Sequence, residues 1–120
     1  MASDHEKLVV WQKAMAFITE IYQVTKDFPK EEIYGLTSQM RRAAISVPSN
    51  IAEGKGRYTP GEFRQFLIQA RGSLLEVETQ IQIAVNLGFL KAKKGDELKG
   101  KSGEIGRMLN GLIEAVSRRK

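Results

Sequence analysis

The chain has no cysteine, which excludes disulfides, thiolate metal sites and cysteine nucleophiles. Its one histidine, His5, excludes any site that draws two imidazoles from a single chain. No apolar run approaches the ~18 residues that a bilayer crossing needs. The opening Met-Ala-Ser-Asp-His-Glu-Lys holds no apolar stretch of the kind a secretory signal carries, so a cytoplasmic protein without a membrane role is expected. Strand signals are missing as well: there is no sustained apolar/polar alternation and no Asn-Gly or Asp-Gly turn. What remains is a chain of 120 residues, 42 % hydrophobic and 28 % charged. That length and balance fit one globular domain over residues 1–120 and exclude a disordered tail or a fibre.

Charge is unevenly placed. The net +5 comes entirely from residues 91–120, which carry nine basic and four acidic groups; residues 1–90 hold ten of each. A local excess lies within 39–73, where Arg41, Arg42, Lys55, Arg57, Arg64 and Arg71 face only Glu53 and Glu62. Basic patches attract polyanions, of which nucleic acid is the commonest in a cell, although many soluble proteins are basic without binding any.

Helical periodicity divides the chain into four segments, over about residues 5–26, 36–54, 60–87 and 96–117. The first is expected to start near Ser3, with Glu6 completing a capping box, and to end before Pro29. At 100° per residue, Val10, Trp11, Ala14, Met15, Phe17, Ile18, Ile21, Tyr22, Val24 and Phe28 cover roughly 200°, twice what a helix facing only its own core needs. In the second, Leu36, Met40, Ala43, Ala44, Val47 and Ile51 form one stripe. Gln39, Arg42, Ser46, Ser49 and Glu53 form a polar one. Pro48 should kink or split this helix, and Gly54-Lys55-Gly56 should break it. The third opens on Thr59-Pro60-Gly61-Glu62, an N-cap followed by proline and glutamate at favoured positions. Phe63, Leu67, Ala70, Leu74, Val77, Ile81 and Ala84 then step 4, 3, 4, 3, 4, 3, a period of 3.5. A second face carries Ile68, Gly72, Leu75 and Ile83, and Gly88 fits a C-terminal cap. Lys91 to Gly95 reads as a basic linker. The last segment buries Leu98, Ile105, Met108, Leu109, Leu112, Ile113 and Val116. Its four glycines should fray the first turns.

Four amphipathic segments with short connections make an all-α, antiparallel up-and-down four-helix bundle. The surplus apolar stripes imply a homo-oligomer, with Trp11, Phe17, Val24, Ile68, Gly72, Leu75 and Ile83 as the expected interface.

Chemistry is sparse. A di-iron carboxylate bundle needs Glu-x-x-His on two helices, and this chain lacks the histidines, so no metal is expected. Ser46 and Ser49 have no histidine partner. Glu76 and Glu78 point about 200° apart on a helix and cannot share a site. No catalytic residue, cofactor or small-molecule substrate is therefore expected. Gly54-Lys55-Gly56-Arg57 lacks phosphate-loop spacing, yet Lys55, Arg57 and Arg64 surround a helix start that can meet an anion. Arg71 reads as an inter-helix salt-bridge residue, while Arg64 fits that role and a phosphate contact equally. Tyr58, beside Arg57, can stack on an unpaired base or pack over a helix end. Trp11, Tyr22 and Phe28 read as packing residues, and His5 as a surface group.

Several runs carry a resemblance. They are Val10-Trp11-Gln12-Lys13-Ala14, Phe28-Pro29 with Tyr34-Gly35-Leu36, and Ser38-Gln39-Met40-Arg41-Arg42-Ala43-Ala44. Ser46-Val47-Pro48-Ser49-Asn50-Ile51-Ala52-Glu53-Gly54 with Gly56-Arg57 follows. Phe66-Leu67, Ala70, Gly72-Ser73 and Met108-Leu109-Asn110-Gly111-Leu112 complete the set. Over about residues 8–113 the chain resembles the bacterial four-helix bundle family encoded in intervening sequences of 23S ribosomal RNA genes, often labelled S23 ribosomal protein. It is also similar to the accessory variability proteins of diversity-generating retroelements. The resemblance implies a ring-like homopentamer without established catalysis. The retroelement likeness implies binding of nucleic acid and a reverse transcriptase. The glycine-rich last helix departs from the pattern.

The function expected is thus a non-enzymatic oligomer that binds RNA or DNA through Arg41, Arg42, Lys55, Arg57, Arg64, Arg118, Arg119 and Lys120. The alternative is a protein–protein scaffold in which these cations serve solubility and salt bridges.

Overall fold

Four α-helices bury the apolar stripes read from the sequence in a computed structural model that describes residues 4–119. They are α1 (Val9–Thr25), α2 (Leu36–Lys55), α3 (Pro60–Asn86) and α4 (Ala92–Ser117), and no strand occurs among the described residues. Each helix packs on the next, α4 closes back on α1, and the diagonal pairs stay apart. The result is a rod of 48 × 24 × 22 Å. The α3–α4 contacts fix the antiparallel direction: Arg64 meets Ser117, Arg71 meets Asn110 and Gln82 meets Lys99.

The regular spacing of α3 decides the core. All seven residues from Phe63 to Ala84 are buried, and α2 and α4 pack on either side. Thr59 caps α3 by accepting the Glu62 backbone N–H at 3.1 Å, and its hydroxyl donates to the Glu62 carboxylate at 2.9 Å. At the other end Gly88 adopts φ +79°, Phe89 N–H donates to Ala84 and Gly88 N–H to Val85. Those two bonds complete a Schellman stop, which needs a left-handed residue that glycine supplies freely. Phe89 then stacks against Phe28 at 5.7 Å and closes that end of the rod.

Several boundaries differ from the sequence reading. The α1 helix starts at Val9, after a separate 3-10 turn at Asp4–Lys7. The expected capping box involves Ser3, which lies outside the described residues. Pro48 does not split α2, because Ala44, Val47 and Ile51 on both sides of it are fully buried and outweigh the ~3 kcal/mol penalty of an internal proline. Gly54 lies inside α2 and does not end it. A Cβ there would sit 2.6 Å from Phe66 Cβ, so α2 and α3 approach too closely at this glycine to admit a side chain. The linker expected at Lys91–Gly95 is helical from Ala92. Gly95 is buried against Val85 and α4 is continuous through all its glycines. Ser102 fills the core position between Leu98 and Ile105, with its hydroxyl unpartnered.

These contacts set opposite expectations for two glycines. Gly54→Ala should destabilise the bundle by about 1–3 kcal/mol through overpacking. Gly100→Ala, with open space around it, should stabilise by up to about 1 kcal/mol. Urea titrations followed by circular dichroism check both; equal shifts would contradict the assigned packing.

Candidate nucleic-acid interface

The turn Gly56–Thr59 joins α2 to α3 at the end of the rod that also receives the C-terminus of α4. A hollow of about 130 Å³ opens there, lined by Lys55, Arg57, Tyr58, Phe63 and Arg119 among others. Aromatic rings hold two of its cations. The Lys55 ammonium lies 5.5 Å from the Phe63 ring centroid, and the Arg57 guanidinium lies 4.8 Å from that of Phe66. A ring face attracts a cation without neutralising it, so these charges remain available to an anion. Arg57 is also 3.6 Å from Glu53, and Arg118 pairs with Glu114 at 2.6 Å. Arg119 makes no ion pair with a described residue. Arg64 stands beside the corner with its Nε donating to Ser117 Oγ at 2.8 Å. Five of the sequence-nominated cations thus share one end: Lys55, Arg57, Arg64, Arg118 and Arg119. Lys120 lies outside the described residues.

Arg41 and Arg42 are not part of this cluster. They sit about 20 Å back along α2, at 1.5 Å per residue. Arg41 is a structural residue: its Nε donates to Thr25 Oγ1 at 2.9 Å and its guanidinium lies 4.4 Å over the Tyr22 ring. Buried Thr25 in turn donates to the Ile21 carbonyl at 2.7 Å. Arg41 thereby places positive charge on the last turn of α1, where unpaired carbonyls make it favourable. Arg42 is exposed along an open polar cleft between α2 and α3, with Ser46, Ser73 and Glu76. Ser46 and Ser73 are joined by a hydroxyl hydrogen bond of 2.8 Å. Arg71 makes none of the salt bridges expected of it with a described residue; it donates to the neutral Asn110 side chain at 2.9 Å.

The α1–α4 packing is the thinnest of the four and encloses a cleft of about 330 Å³. Lys13 pairs with Glu104 at 2.7 Å, and Glu20 takes Lys101 at 2.6 Å and Lys94 at 3.7 Å. The Lys13 hydrogen bond, and then its charge, hold the Glu104 carboxyl below the usual carboxylate range. These charges satisfy one another, which disfavours an anion site here. No group of three His, Cys, Asp or Glu residues suited to a metal occurs among the described residues.

The expected interface residues divide. Phe17 is 2 % exposed and belongs to the core, so it is withdrawn from the outer set; it sits at the centre of the inward stripe Val10, Ala14, Phe17, Ile21. Trp11, Val24 and Ile68 are half-buried against the core. Gly72, Leu75 and Ile83 are exposed on α3, Leu75 by 58 %. The larger apolar surface is a groove of about 450 Å³ between α1 and α2, where Trp11, Met15, Ile18 and Tyr22 face Ile45 and Pro48. Met15 is 41 % and Ile45 40 % exposed. Ile45 lies between the two stripes read on α2, and the periodicity left it unnoticed.

The profile of the 23S rRNA-intervening sequence protein family matches residues 6–111. The chain belongs to that family. A crystal structure of a protein of unknown function from the S23 ribosomal protein family of Bacteroides thetaiotaomicron is similar, with TM-score 0.82 and 21 % identity over 88 % of this chain and 96 % of that one. At that identity the likeness shows the fold. Comparison with curated proteins gives no match. The family match covers α1, α2, α3 and most of α4, and ends before Arg118 and Arg119. The basic corner therefore combines residues within the family region, Lys55 and Arg57, with a cation beyond it. No helix among the described residues is long and apolar enough to cross a membrane.

Arg41→Ala should lower stability by about 1–2 kcal/mol, by removing a charge-assisted hydrogen bond and a ring contact. Thermal unfolding checks this. An unchanged midpoint would show that Arg41 does not secure the end of α1.

Proposed function

We propose that the protein is a non-enzymatic, self-associating bundle that binds RNA or DNA through phosphates at the end carrying Lys55, Arg57 and Arg119. The observation that carries this reading is the gathering of these three cations around one hollow, with only Arg57 near a carboxylate. Ring-held cations are ordered before a ligand arrives, which lowers the entropy lost on binding. Phosphate contacts of this kind give affinity with little sequence choice. Arg64 and Arg118 add charge at the rim, and Lys120 continues the basic run in the sequence. Arg42 remains an exposed cation on the rod's side, and Arg41 is reserved for structure.

Self-association is the second part of the proposal. The α1–α2 groove exposes Trp11, Met15, Tyr22 and Ile45 on adjoining helices, an apolar patch of the kind that marks an interface. A ring-like homopentamer, the arrangement the resemblance implies, would repeat the basic corner around its rim. Such repetition raises avidity for a long polyanion without any new contact. The same groove is also what favours the alternative of a protein-binding scaffold.

Two experiments test these parts. Affinity for structured RNA should fall roughly 10- to 100-fold between about 50 and 200 mM salt, as expected for three or four phosphate contacts. The double variant Arg57→Glu/Arg119→Glu should weaken binding at least roughly tenfold while the assembly sediments unchanged. Undiminished binding by that variant would refute the basic corner, and no binding at low salt would favour the scaffold. Separately, the 13.5 kDa chain should sediment as an oligomer at micromolar concentration, and Met15→Glu/Ile45→Glu should yield a helical monomer. A wild-type chain that remains a well-folded monomer would overturn the association.

A further inference from the structure

The basic corner carries one side chain that phosphate binding does not need. Tyr58 stands in the middle of the turn and is 100 % exposed. It does not pack over a helix end, one of the two roles open to it from sequence. The hydrogen bonds of the turn involve its neighbours: Arg57 N–H donates to Gly54, and Thr59 serves the cap of α3. Aromatic rings are normally placed where their area is removed from water. Phe17 and Phe28 are so placed in the core, and Phe63 and Phe66 lie beneath the Lys55 and Arg57 cations. Tyr34 is also 95 % exposed, so what distinguishes Tyr58 is its place in the lining of the basic hollow.

We propose that Tyr58 is a stacking platform for one unpaired base, whose flanking phosphate lies in the hollow between Lys55, Arg57 and Arg119. This deepens the nucleic-acid reading and rests on it. Stacking needs a free base face, which a single strand, loop or strand end offers and the interior of a duplex does not. The turn therefore selects unpaired nucleotides, whereas the cations alone bind any polyanion. Tyr58 and the three cations line the same hollow of about 130 Å³, so the residue offered to a base adjoins the charges offered to its phosphate. The Glu62 carboxylate accepts from the Thr59 hydroxyl and puts negative charge in the first turn of α3, which leaves the phosphate to the cations at the side. Every base presents a π-face, so the preference is for strandedness rather than sequence.

Fluorescence anisotropy on the full chain at about 50 mM salt tests this. The probes are a short uridine strand, the matching thymidine strand and a blunt duplex. Tyr58→Ala should weaken binding of a single strand roughly tenfold, leave the duplex within about twofold, and be rescued by Tyr58→Phe, which keeps the ring. The RNA and DNA arms show which strand the site serves, a loss in either sufficing. Because Tyr58 makes no buried contact, the variant is expected to fold, and its circular dichroism checks that. If wild-type protein binds both strand and duplex but Tyr58→Ala changes neither, or both equally, the stacking role falls and the basic corner survives. Wild-type protein that binds none of the three would overturn both.

Discussion

The buried seam of α3 is the constraint on which the rest of the molecule depends. Seven apolar residues at a 3.5-residue spacing give this helix one continuous inward face. Both of its neighbours in sequence must lie against that face, so α2 and α4 take their places on either side. The close approach at Gly54 and Phe66 then fixes how α2 leaves the core. Once those two helices are set, the four-residue turn between them has little freedom. Lys55, Arg57 and Tyr58 are presented at a fixed corner because hydrophobic packing placed the helix ends there.

The extents of α2 and α3 were legible to within one residue, and those of α1 and α4 to within four. The capped start of α3 and its glycine stop carry their geometry in short local motifs, Thr59-Pro60-Gly61-Glu62 and Gly88. The departures arise where tertiary contacts override local preference. Pro48 and the glycines of α4 weaken a helix in isolation, yet buried neighbours hold the helical path. Gly54 looks like a helix end in sequence, and only the facing Phe66 reveals it as a contact point. The broad apolar arc of α1 spans an inward stripe and an exposed groove, and periodicity could not separate Phe17, which faces inward, from Met15, which faces the groove.

The candidate site was legible in kind and only partly in membership. A run of cations signals affinity for anions, but sequence cannot tell which of them the fold has already committed. Arg41 is tied to Thr25 and Tyr22, and Arg71 to Asn110. Conversely, Lys55 and Arg119 lie far apart in sequence and meet only because α4 returns to the start of α3. The family match and the similar crystal structure account for the shared helical core. They leave the basic end to be argued from this chain's own residues.

The thin packing between α1 and α4 has a consequence for the order in which the molecule loosens. Paired surface charges contribute little when water reaches them, so α1 depends mainly on its other side, against α2. That side borders the apolar groove. A second copy seated in the groove would clamp the helix that is least secured in the lone chain. Dilution and partial unfolding would then be thermodynamically linked, with the first helix becoming most labile when its neighbour departs.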